Sequence, residues 1–187
     1  MKKALLIASV LLIAVISTAC INNIAVQELN NKAAEYMQKG DYEAAMNRLQ
    51  ASLDLDSTMY ETYYNLGIAA TNAKKYDVAI EAFENGIKIK PEHANFYYSL
   101  GIAQSSYADE LVEDTYFDSE KEETVTKEVT PQDKAKAESM KVLAIANLQK
   151  YLELNPQAED KDTVEGLIKD CENFEKEQPE KQVLLEG

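Results

Sequence analysis

Apolar residues along most of this chain recur at steps of three and four, the period of amphipathic helices. The pattern is cleanest in Tyr60–His93. Its first half, YETYYNLGIAATNAK, sets Tyr63, Leu66, Gly67 and Ala70 on one helical face. Its second half, YDVAIEAFENGIKIK, does the same with Ala79, Ile80, Phe83, Ile87 and Ile89, and ends at Pro91. Proline lacks the amide donor and restricts Lys90 before it, so the helix stops there. The pattern predicts two antiparallel helices crossing at Gly67 and Ala79, whose lack of bulk lets the backbones approach while Tyr63, Tyr76 and Phe83 fill the space around them.

The same instruction is repeated. YYNLGIA at Tyr63–Ala69 returns as YYSLGIA at Tyr97–Ala103, offset by 34 residues and differing only at Asn65 and Ser99. A fixed offset of this size marks a repeat architecture. One period earlier, Val26–Met59 carries Leu29, Ala33, Tyr36, Ala45 and Leu49 at matching places. Lys39-Gly40-Asp41-Tyr42 breaks that unit in two, with Gly40 free to take a positive φ and Asp41 able to cap the next helix. One period later, Tyr97, Leu100 and Gly101 match, but the partner helix is displaced to ESMKVLAIANLQKYLELNP, with Ala144, Leu148, Leu152 and Leu154 in register before Pro156. Ala108–Glu138 is therefore an insertion between paired helices. It holds 11 Asp and Glu against four Lys, half of the chain's net charge of −14. Two readings of it stand open: a helix extension with an acidic loop, or a short β-hairpin involving Thr124–Val129. A last helix over Asp160–Lys176 turns Val164, Leu167, Ile168, Cys171 and Phe174 inward, and residues 177–187 form a fraying tail.

Tyr63-x2-Leu66-Gly67, then Ala79, Phe83 and Pro91, resembles the tetratricopeptide repeat, with Ala70 where that pattern has Tyr. The resemblance implies an all-α, TPR-like helical-hairpin solenoid of about three repeats, with a C-terminal capping helix and an insertion in the third. The boundaries expected are repeat 1 at 26–59, repeat 2 at 60–93, repeat 3 at 94–156 containing the insertion 108–138, and a cap at 157–176. Lys32 and Ser57 depart from the pattern in the first unit, as a terminal repeat with a solvated face is free to do.

The first residues follow another logic. Lys2 and Lys3 precede a thirteen-residue apolar run, Ala4–Ile16, which is short for a membrane span of about 20 residues but suits a secretory signal. Ile16-Ser17-Thr18-Ala19-Cys20 resembles a bacterial lipobox, with Ser17 where an aliphatic residue is usual. The resemblance implies a signal peptide at 1–19, lipid on Cys20 and a short link through residue 25. An ordinary signal cleaved after Ala19 is the alternative. Ile21 after the cysteine points to the outer membrane, facing the periplasm, under the diderm sorting rule. Lipid on Cys20 leaves Cys171 as a single buried thiol at helical spacing from apolar neighbours.

Net charge of −14 argues against nucleic acid, whose phosphates are neutralised by Lys and Arg. The lone histidine, His93, falls in a turn, and no phosphate loop, nucleophile elbow or metal-ligand spacing is present, so no enzyme, cofactor or metal is expected. What remains is a surface. The repeat resemblance implies a groove lined by the first helix of each unit: Gln27, Asn30 and Ala34; Glu61, Tyr64, Asn65, Ile68, Thr71 and Asn72; Asn95, Tyr98, Ser99, Ile102 and Ser105. Its centre, Tyr64, Asn65, Ile68, Asn72, Asn95, Tyr98, Ser99 and Ile102, combines amphipathic rings with hydrogen-bonding amides and hydroxyls suited to a peptide. Repeats that clamp a terminal carboxylate need Lys and Arg; here only Asn65 matches, and Asn30, Asn95 and Ser99 occupy clamp places. The alternative is that Tyr64 and Tyr98 merely pack on the insertion or on each other. The expected function is a membrane-tethered scaffold or adaptor that holds another envelope protein, with an accessory ligand-binding lipoprotein of a transport system as the rival.

Overall fold

The computed structural model describes residues 23–118 and 123–177, which fall into two compact units divided between Lys90 and Pro91. The expected leader, Cys20 and the tail from residue 178 lie outside the described residues.

The first unit holds α1 (residues 23–38), α2 (Tyr42–Leu55), α3 (Tyr60–Asn72) and α4 (Tyr76–Ile89). α1 is already helical at residues 23–25, where the sequence suggests a link. Gly40 turns the chain between α1 and α2 at φ 75°, and the Asp41 side chain accepts from the Ala44 amide at 3.1 Å, capping α2. At the same register one period on, the α3–α4 turn uses Lys74 at φ 56°, without a glycine's freedom. Ala33, Ala45, Leu49, Leu53, Leu66, Ala69 and Ala82 form one buried cluster, flanked by Tyr36 and Tyr63. Gly67 sits where α3 meets α4: a β-carbon there would stand 2.6 Å from two ring carbons of Phe83, which is fully buried. The crossing predicted from small residues is thus a glycine against a ring, with Ala79 buried beside it. Ile89 departs from expectation: it is exposed, and Ala82 and Gly86 occupy the inward face of α4 instead.

The second unit holds α5 (Ala94–Val112), β1 (Thr115–Asp118), β2 (Glu123–Thr126), α6 (Pro131–Leu154) and α7 (Lys161–Glu177). Here Gly101 admits the close approach: a β-carbon would stand 2.8 Å from Leu148 Cγ and 3.2 Å from the Ala144 carbonyl oxygen, both on α6. Leu148, Tyr151 and Val164 form the buried centre, with Tyr97, Tyr98, Leu152, Leu167 and Ile168 around it.

The expected insertion combines both open readings and corrects each. Ala108–Val112 extends α5, residues from Pro131 already belong to α6, and between them β1 and β2 pair antiparallel with Thr115 opposite Thr126 and Phe117 opposite Thr124. The β-branched run in β2 fits a pleated strand, whereas a loop assignment ignored its partner in β1. The hairpin is fastened at its base, where the Lys127 amide donates to the Asp114 carbonyl at 2.6 Å and the Lys127 ammonium to the Glu110 carbonyl at 3.3 Å. α6 starts from a complete capping box: the Thr130 hydroxyl accepts from the Asp133 amide, the Asp133 carboxylate accepts from the Thr130 amide, and Pro131 takes the first helical position. The hydrogen bond from the Thr130 hydroxyl at 2.8 Å, and then the one from the Thr130 amide at 3.0 Å, hold the Asp133 carboxyl below its ordinary range.

Candidate functional site

The outward residues of α3 and α5 were expected to carry the site, and each unit places its own set. On α3, Tyr64, Ile68 and Asn72 recur at steps of four and so share a face, with Asn65 beside them. Tyr64 is half-buried, its ring tilted against Phe83 of α4 at 6.0 Å between centroids. Asn72 is exposed, and its amide donates back to the Ile68 carbonyl at 2.8 Å; the Thr71 hydroxyl does the same to Gly67. On α5, Asn95 is exposed, and Tyr98 and Ile102 are half-buried. The Tyr98 ring tilts onto Tyr151 of α6 at 5.3 Å. Both tyrosines therefore lean on the second helix of their own hairpin. Burial, and then the hydrogen bond it donates to Asp160 at 2.8 Å, push the Tyr151 hydroxyl above its ordinary range.

Three expected groove positions are corrected. Asn30 is taken up by the fold: its amide donates to Ser52 Oγ on α2 at 2.7 Å and to the Val26 carbonyl at 2.9 Å, and its carbonyl oxygen accepts from Thr62 Oγ1 on α3 at 3.2 Å. Ser52 and Thr62 are fully buried, so the trio satisfies groups that would otherwise each cost about 1–3 kcal/mol. Ser99, the single mismatch in the repeated heptapeptide, is only 7% exposed; its short side chain is recessed where Asn65 reaches halfway out. Ser105 is half-buried and faces α6 and α7. Of the other first-unit positions, Gln27 is exposed and bonded to Asn23, and Ala34 and Glu61 are exposed.

Ser105 belongs to a cluster that the sequence reading missed. Lys141 of α6 is buried; its ammonium lies 2.6 Å from Asp109 Oδ1, 2.9 Å from Ser105 Oγ and 4.9 Å from the centre of the Phe174 ring on α7. The Cys171 thiol, also buried, is 3.5 Å from Ser105 Oγ. The group ties three helices together, with the charge compensated by the exposed Asp109 carboxylate. The available signal was the phase of Lys141, which shares the inward stripe of Ala137, Ala144 and Leu148. Nearby, the buried Gln104 accepts from the Asn147 amide at 2.8 Å. His93 sits at the N-cap of α5, edge-on to Phe96 at 5.4 Å.

Among the described residues, no three His, Cys, Asp or Glu side chains converge as metal ligands, and no helix is long and apolar enough to cross a membrane. The faces offer rings, aliphatic side chains and amides: material for holding a peptide.

Comparison with known proteins agrees with the geometry. A family profile described as TPR repeat matches residues 33–70, and one described as tetratricopeptide repeat matches residues 60–93. A TPR repeat-containing protein of Schizosaccharomyces pombe is 35% identical over 81 residues, 43% of this chain and 10% of that protein. One of Methanocaldococcus jannaschii is 31% identical over 71 residues, 38% of this chain and 12% of that protein. The matches thus span about a tenth of these relatives' own length. Among solved structures, the first TPR of Spaghetti bound to an HSP90 peptide superposes with a TM-score of 0.58 at 15% identity, covering 81% of this chain and 93% of the other. The Yersinia enterocolitica type III secretion chaperone SycD, in complex with a peptide of the translocator YopD, gives 0.57 at 17% identity, covering 80% and 93%. At such identities the likeness is one of fold.

Proposed function

Starting from tetratricopeptide-repeat matches over residues 33–93, we propose that the chain is a lipid-tethered adaptor that holds another protein at a bacterial cell envelope, in assembly or secretion. The observation that carries the reading is the α3 face, where Tyr64, Ile68 and Asn72 line up with the ring held against Phe83 and the amide exposed. A ring already fixed by its own hairpin loses little rotamer entropy when a partner packs against it, which favours binding. α5 repeats the arrangement with Tyr98 on Tyr151 and Asn95 exposed. The repeat fold is typically a non-catalytic interaction module, and solved neighbours hold peptides of an HSP90 and of a secretion translocator. A carboxylate-terminated peptide of the former kind is a poor candidate here, because Asn30 stands at a clamp place and is occupied within the fold. The lipid tether at Cys20 and the outer-membrane location rest on the leader sequence alone.

Crosslinking and capture of the full-length protein from its native envelope tests the adaptor. Tyr64→Ala combined with Tyr98→Ala is expected to lose the captured partner. If capture survives that pair but fails when the β1–β2 hairpin is deleted, the face assignment is wrong. Cys20→Ala is expected to shift the protein from the membrane fraction to the soluble one, and continued retention would remove the tether from the proposal.

A further inference from the structure

On the first unit, α2 and α4 border a cleft of about 320 Å³ with an apolar floor and an acidic rim. Leu53, Leu66 and Ala82 form the floor, at 8%, 5% and 3% exposure, as the outer edge of the buried cluster. Val78 stands on its wall with 38% of its surface open, which leaves apolar surface beside the floor. Asp54 and Glu81 provide the rim. Both are exposed, and among the described residues neither forms an ion pair; Asp54 accepts one hydrogen bond from the Gln50 amide at 3.3 Å, which leaves its charge in place.

We propose that this cleft is a second binding site and takes a lysine or arginine side chain from a basic, amphipathic segment of a partner protein. Such a side chain has the matching halves: a methylene stem to cover Leu53, Leu66 and Val78, and a cationic head to meet Asp54 and Glu81. A purely aliphatic ligand would leave two carboxylates partly desolvated and unpaired, and an acidic one would be repelled. A second copy of this chain is the wrong occupant on charge, since each copy carries −14. The lining belongs to α2, the turn after it at Ser57, α4 and the inner edge of α3, none of it to the Tyr64 face, so this site does not depend on the face proposed above.

The test is a titration of isotope-labelled full-length protein with acetyl-Ala-Leu-Lys-Leu-Ala-amide, followed by amide shifts, with a control peptide carrying norleucine for lysine. The lysine peptide is expected to move the amides of Asp54, Val78 and Glu81 to saturation, and the norleucine peptide to bind about fivefold more weakly. Asp54→Asn with Glu81→Gln, both on exposed side chains, is expected to weaken the lysine peptide by about the same factor and to bring the two peptides together. Equal binding of both peptides to the unaltered protein overturns the proposal, as do shifts that never saturate. So do shifts at these amides on concentrating the protein without peptide, which would identify a second copy as the occupant. Shifts confined to Tyr64, Ile68 and Asn72 would also overturn it while leaving the adaptor reading intact.

Discussion

Replacing glycine by alanine at two positions of the second unit should move stability in opposite directions. Both Gly101 on α5 and Gly166 on α7 lie within helices, where alanine is favoured over glycine by about 1 kcal/mol. At Gly166 a β-carbon meets nothing within 4 Å, so that gain should be realised in full. At Gly101 the same carbon arrives 2.8 Å from Leu148 Cγ, 3.1 Å from Leu148 Cδ2 and 3.2 Å from the Ala144 carbonyl. Leu148 is fully buried, and the carbonyl moves only if α6 moves. Overpacking of this kind costs about 1–3 kcal/mol. The propensity term cancels when the two variants are compared, so their difference isolates the packing term: Gly166→Ala should exceed Gly101→Ala by about 2 kcal/mol, or ~4–8 °C in Tm for a chain of this length. Circular dichroism melts and urea titrations of the full chain measure both. Leu148→Ala should relieve the clash, so adding Gly101→Ala in that background should cost less than it does alone. If Gly101→Ala stabilises as much as Gly166→Ala, the close approach of α5 and α6 is not what that glycine is for. Gly67→Ala, against the Phe83 ring, should repeat the loss in the first unit.

The left-handed turn at Lys74 should be relieved by Lys74→Gly, which removes a strain of about 1–2 kcal/mol at the expense of a more flexible unfolded chain, for a net gain of about 0.5 kcal/mol; Gly40→Ala at the equivalent turn should lose about 1 kcal/mol, both read from urea midpoints. Lys141→Ala should destabilise by about 2–3 kcal/mol through lost packing and a lost tie to Ser105, whereas Asp109→Asn should cost about half as much because that carboxylate is mostly exposed; equal losses would refute the reading. The Asp133 carboxyl is held below its ordinary range by Thr130, so its contribution is fully present above the unfolded-state value near ~3.9 and is lost as pH falls through the lower folded value. The urea midpoint should therefore fall on acidification through that window, and fall less in Thr130→Val, which removes the hydroxyl bond.

The hairpins were legible because helix packing writes itself locally: apolar steps of three and four set the faces, and Gly67 and Gly101 marked the crossings before any contact was known. The β1–β2 ribbon was half legible. Its second strand is a β-branched run, but the first, Thr115–Asp118, carries no alternation that declares it, and a strand is defined by its partner. The site was least legible where polar residues serve the interior. Asn30 looks like a groove amide until Ser52 and Thr62 are seen, 22 and 32 residues away; Ser105 looks outward until Lys141 arrives from 36 residues on. Burial of a polar side chain is decided by what faces it, and periodicity reports only which way it points.

One register position shows how far that goes. Asn30, Tyr64 and Tyr98 are spaced by the 34-residue period and so occupy equivalent places on α1, α3 and α5. The first spans α1, α2 and α3 with hydrogen bonds; the other two rest rings on Phe83 and Tyr151. Packing and binding look like rival explanations for the two tyrosines, but the geometry shows the packing and leaves it compatible with the binding proposed above. A tyrosine free in solvent must give up rotamer entropy to meet a partner, about 1 kcal/mol for an immobilised side chain, whereas one leaning on its own hairpin has given up much of it during folding. On the adaptor reading proposed above, support from Phe83 and Tyr151 would be part of what the face offers a partner, and a substitution that loosens either ring should weaken capture without touching the partner.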